Sequence, residues 1–118
     1  MKKLFVALLV LNVLTEALAA TTLIGGPGGI SAAGAGNQWS MHYGFAALAI
    51  GSAALWVWPY RNNLNAVTAV LGVLMTFHSG LFVSLMVAGD QPAGVIIHAV
   101  LAALCILLFI QRRSWCQA

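Results

Sequence analysis

The sequence predicts an all-α, polytopic membrane protein: a single domain over residues 1–118 forming a four-transmembrane-helix bundle with both termini inside (N-in/C-in). Three observations carry that reading. Of the 118 residues, 62% are hydrophobic and only 6% charged, against about one quarter charged in soluble domains. The apolar residues fall into four continuous runs, each near the roughly 20 residues a membrane span needs. All five lysines and arginines then fall on one side of an even-numbered set of spans. No polar/apolar alternation supports a barrel, and continuous apolar runs of this length satisfy their backbone groups only as helices.

The first span, about 4–24, follows Lys2 and Lys3. Its end, LNVLTEALAA, admits two readings: a secretory leader cleaved after Ala17-Leu18-Ala19, or a retained helix that carries a carboxylate, Glu16. Cleavage would leave three spans. The apolar run continues through Thr21, Thr22, Leu23 and Ile24, which favours retention. The glycine-rich stretch 25–39 that follows lacks the Gly-Lys-Ser/Thr ending of a phosphate loop and has no strand before it, so it reads as an outer cap.

The second span, about 40–60, is flanked by aromatic residues, Trp39 and Tyr43 at one end and Trp56, Trp58 and Tyr60 at the other, as in interfacial belts. Arg61 separates it from the third, about 64–88. The turn Gly89-Asp90-Gln91-Pro92 leads to the fourth, about 93–110, which Arg112 and Arg113 follow. Lys2, Lys3, Arg61, Arg112 and Arg113 thus mark a cytoplasmic side, and the outer side holds only Asp90. The net charge of +3 is then topology. With no basic patch interleaved with aromatics, nucleic acid is not an expected partner; the lipid bilayer is, of the bacterial inner-membrane type.

The informative residues are polar ones inside the spans. Glu16 lies twelve residues beyond Leu4, about 18 Å into a core roughly 30 Å thick, and His78 lies twelve beyond Ala66 on a helix running the same way. His42 and His98 fall within about 8 Å of the outer edge on the two returning helices. Asn12 and Glu16, four apart with Thr15 beside them, make one polar stripe. Gly94, His98, Ala102 and Cys105 share a face of the fourth helix, and His42 stands above Ala46, Ala49 and Ala53, small residues that suit a packing seam. A carboxylate facing lipid at mid-depth costs at least ~2.5–3.5 kcal/mol, so an inward, convergent arrangement is expected, with His42 the member nearest an interfacial bystander.

Three imidazoles and a carboxylate suit zinc, iron or copper, with His78, His98, Glu16 and His42 as metal donors. No two share a helix at the i, i+4 spacing of HExxH. Haem between His42 and His98 is a second option, without the CxxCH of covalent attachment. A third is a quinone-like ligand with Asn12, Glu16, His78 and His98 binding it or carrying a proton. A hydrogen-bonded patch that fixes helix register is the alternative to all three. Cys105 and Cys116 lie in the inner half of the fourth span and the cytoplasmic tail, a reducing setting that argues against a disulfide.

The layout of a short first span with Asn-x-x-x-Glu (Asn12, Glu16), a glycine and proline break, and three spans bearing histidines resembles the DoxX-like class of small four-helix bacterial membrane proteins. The likeness covers the whole chain in hydropathy and length. It implies a place beside membrane oxidoreductases that meet the quinone pool. Three functions are therefore expected to compete: a metal-, haem- or quinone-binding redox-associated subunit; an accessory or scaffold subunit or homo-oligomer joined through small-residue seams; and a small proton-coupled transporter that works as a dimer around Glu16. No serine-nucleophile motif or carboxylate pair points to hydrolytic catalysis.

Overall fold

The computed structural model describes residues 1–24, 38–89 and 91–117. Most of the expected glycine-rich cap (25–37) and Asp90 lie outside them. The described chain is all-α: α1 (Lys2–Ile24), α2 (Gln38–Val57), α3 (Leu64–Ala88) and α4 (Pro92–Gln111), with single 3-10 turns at Trp58–Tyr60 and Arg112–Ser114. All four helices are long and apolar enough to cross a membrane, and at most 33% of any span's apolar window is buried within the chain. Most of each helix surface is thus left for lipid, as a chain of this composition requires. The helices overrun the expected spans slightly, into Lys2, Gln38 and Gln111. Apolar counting stops at the first polar residue, whereas helical hydrogen bonding continues to where water or a cap replaces it.

The chain divides into two compact units, one made of Met1–Leu8 and Val57–Ala118, the other of Leu9–Trp56. In the first, Asn63 opens α3 by accepting the Ala66 N–H on its side-chain oxygen at 3.0 Å. Gly89 closes α3 at φ +73°, its N–H donating to the Leu85 carbonyl at 2.9 Å. That left-handed position favours glycine, and Pro92 then starts α4 with the φ a helix needs. The two helices run antiparallel, since Leu85, His78 and Thr68 on α3 meet Gly94, His98 and Arg112 in that order. Val67, Val70, Leu71, Leu74 and His78 are the buried stripe of α3; His98, Leu101, Ala102, Cys105 and Leu108 are that of α4. Steps of three and four residues keep each stripe on one face.

The end of this hairpin is tied by polar contacts. Arg112 Nε donates to Thr68 Oγ1 at 2.9 Å, and the guanidinium lies over Phe109, 3.9 Å from the ring centroid. Beyond it, the Gln117 N–H donates to the Asn62 carbonyl at 2.7 Å and the Leu64 N–H to the Gln117 carbonyl at 2.8 Å. The tail therefore clasps the turn before α3, and Trp115 packs on Phe5 with ring centroids 5.1 Å apart.

In the second unit, α1 buries Asn12, Glu16 and Ala20, and α2 buries Gly44, Ala47, Gly51 and Ala54. A Cβ on Gly44 would lie 2.7 Å from Ile24 Cγ1, and one on Gly51 would lie 3.0 Å from Glu16 Cβ. This corrects the expected seam of Ala46, Ala49 and Ala53: Ala46 and Ala49 are exposed. Small residues occupy both faces of α2, and the face with glycines packs because only a missing Cβ lets the backbones come this close.

Candidate functional site

His78 ends the buried stripe of α3 and His98 begins that of α4, so the antiparallel hairpin brings them together. Their Nδ1 atoms are 3.0 Å apart, and the rings stack with centroids 5.2 Å apart and planes inclined by 28°. Phe77 sets its edge against both, 5.3 Å from His78 and 6.4 Å from His98 between centroids. His78 is fully enclosed and His98 is 8% exposed. A single proton must lie between the two Nδ1 atoms: one ring donates as the Nδ1–H tautomer, the other accepts as the Nε2–H tautomer. The pair thus has one Nε2 of acceptor character and one of donor character.

In the second unit, Asn12 and Glu16 share one face of α1, as their four-residue spacing predicts. Asn12 Nδ2 donates to the Ile50 carbonyl of α2 at 3.3 Å, and Glu16 is fully enclosed, with Gly51 against its stem. His42 is exposed, in edge contact with Trp39 at 6.1 Å and 83°, on the same outward face as Ala46 and Ala49. Trp39, Trp56, Trp58 and Tyr60 are exposed at the two ends of α2. Cys105 is buried one turn past Ala102, and Cys116 sits outside the spans. Burial pushes the Cys116 thiol up, while Lys2 and Arg112 pull it partly back.

Phe77, Gly51 and the Ile50 carbonyl belong to these sites and had no signal in the sequence. Phe77 precedes His78, which on a helical wheel puts it on the next face, and a backbone carbonyl has no letter of its own. The chain matches no protein-family model, no curated protein and no solved structure. Its function rests on the chemistry of these side chains.

That chemistry fits a metal ion. Two nitrogens bound at about 2.0–2.1 Å to a tetrahedral ion stand roughly 3.3–3.4 Å apart. A pair at 3.0 Å reaches that with a small opening of the hairpin.

Proposed function

We propose that this multi-pass membrane protein holds a transition-metal ion, with His78 and His98 as imidazole donors and Glu16 as the carboxylate. The observation that supports this most directly is the buried Nδ1···Nδ1 pair, two metal-ligand atoms held by adjacent helices. Glu16 is the carboxylate expected to join them, since it lies twelve residues beyond Leu4 as His78 lies twelve beyond Ala66, an equal helical rise. Asn12, one turn before Glu16, orients the same face of α1. The DoxX-like layout adds the expectation of a redox-associated subunit near the quinone pool, in a bacterial inner membrane with both termini cytoplasmic. A quinone-like ligand would use the same imidazoles, one Nε2 accepting and the other donating.

The test is elemental analysis and cobalt spectroscopy of the purified full chain. About one metal per chain is expected, with the visible bands of tetrahedral Co(II) after exchange. His78→Ala and His98→Ala should each abolish both signals, and His42→Ala should retain them. A wild-type protein that neither carries metal nor takes up Co(II) at micromolar concentration removes this reading.

A second reading, self-association, is favoured by another observation. Gly72, Thr76, Gly80 and Ser84 recur every four residues on α3. A Cβ on Gly72 or Gly80 would meet nothing within 4 Å, and Thr76 turns its hydroxyl onto the Gly72 carbonyl at 3.0 Å. Such a strip suits close approach of another helix. Gly72→Leu with Gly80→Leu should leave the chain folded and shift a dimer to monomer in sedimentation; an unchanged mass speaks against it.

A further inference from the structure

The end of the first unit that carries the basic residues contains a cleft that the metal reading does not use. Its volume is about 420 Å³, and it is lined by Lys2, Lys3, Phe5, Val6, Arg61 and Asn62. That size lies within the range of small-ligand pockets. Three of the six lining residues are cations and none is a carboxylate. The chain has only two acidic side chains, Glu16 and Asp90, and Glu16 does not line the cleft.

Arg61 is held in place from within its own turn. Its Nη1 donates to the Trp58 carbonyl at 2.7 Å, and the guanidinium stands 5.1 Å from the Trp58 ring centroid. This contact uses one of five N–H donors. The neighbouring turn is fixed by the clasp of Asn62 and Leu64 with Gln117. Lys2 and Lys3 stand on the first turn of α1, and the buried ring of Phe5 lies one turn further in. An anchored planar guanidinium, two mobile ammonium groups and an apolar floor are thus gathered at the boundary of the spans.

We infer that this cleft binds a phosphate group, held by Arg61, Lys2 and Lys3 with the Asn62 amide beside them. Arg61 supplies the geometry of the interaction, since its fork matches two phosphate oxygens at once. The lysines supply charge that an anionic membrane surface attracts. An anionic phospholipid meets both halves of the site: its phosphate faces the cations, and its glycerol and first methylenes cover Phe5 and Val6. A free phosphate compound presents the same oxygens without the apolar part.

The test uses the purified full chain in a nonionic detergent, titrated with dioctanoyl phosphatidylglycerol and followed by native mass spectrometry. Dioctanoyl phosphatidylcholine and inorganic phosphate are the comparison probes. The phosphatidylglycerol adduct should form at least tenfold more readily than the phosphatidylcholine adduct. Each cation removed should weaken it by about fivefold, the effect of a single basic residue near an anionic surface. Arg61→Gln should show this loss and the double variant Lys2→Gln/Lys3→Gln about 25-fold, whereas Arg113→Gln, an exposed cation that does not line the cleft, should show none. If Arg61→Gln does not fold, the lysine double variant carries the test. Displacement of the lipid by millimolar inorganic phosphate assigns the site to free phosphate compounds, and resistance to it assigns the site to the lipid. Equal binding of phosphatidylcholine, or an equal loss in Arg113→Gln, overturns the inference.

Discussion

Replacing the histidines of the buried pair by phenylalanine, singly and together, measures the coupling between them. A phenyl ring keeps the edge contact with Phe77 and opens no large cavity, while the Nδ1···Nδ1 contact at 3.0 Å is lost. In His78→Phe the imidazole of His98 is left in a site where only 8% of its surface is exposed. An orphaned buried polar group costs about 1–3 kcal/mol. Each single variant should therefore lose ~1–2 kcal/mol. In the double variant neither imidazole of the pair remains to be orphaned, so it should cost less than the sum of the two singles. Interhelical hydrogen bonds in membranes couple by about 0.6 kcal/mol on average and up to about 1.7, so a coupling near ~1 kcal/mol is expected for this enclosed pair. Reversible unfolding in mixed micelles, on protein stripped with a chelator so that no metal contributes, measures all four corners of the cycle. Additivity within ~0.3 kcal/mol, the spread of independent sites, refutes the pairing.

Gly51→Val should destabilise by about 1–3 kcal/mol, because even its Cβ would meet Glu16 Cβ at 3.0 Å; an unchanged melting temperature in detergent contradicts the close approach. Cys116 should alkylate slowly at neutral pH and faster as pH rises past the ordinary thiol value, since a raised pKa leaves less thiolate at a given pH. Lys2→Gln removes a charge that favours the thiolate and should slow the reaction further; equal rates in both proteins argue against that contact. For topology, in a Cys116→Ser background, an impermeant thiol reagent should reach Gln91→Cys in intact cells and spare Ser114→Cys. The reverse pattern inverts the orientation.

The helices were legible in the sequence because a run of about 20 apolar residues needs no tertiary information to be recognised. The polar stripe of Asn12 and Glu16 and the shared face of His98, Ala102 and Cys105 were also legible, since each depends only on helical period. The packing face of α2 was not. In FAALAIGSAA, residues 45–54, small side chains occur on every side, so period alone cannot choose. The choice turned on Gly44 and Gly51, where the partner helix leaves no room for a Cβ. Depth brought His78 and His98 near each other, but their contact depends on the turn geometry at Gly89 and Pro92, which sets the register of α4 against α3. Phe77 escaped notice because a ring reaches across a face boundary that a helical wheel treats as fixed.

The contact between Phe5 and Trp115 has a consequence for the order of assembly. Phe5 leaves the ribosome 110 residues before the tryptophan that covers it. The α3–α4 hairpin, closed by a short turn, can zip as soon as α4 is inserted, because its partners are near neighbours along the chain. The first turn of α1 has no such partner. During elongation, Phe5 must be sheltered by lipid or by the insertion machinery, and its site is completed only when the Trp115–Gln117 tail reaches the turn at Asn62. Closure of this unit is therefore among the last events of biogenesis, ordered by where two aromatic residues stand in the chain.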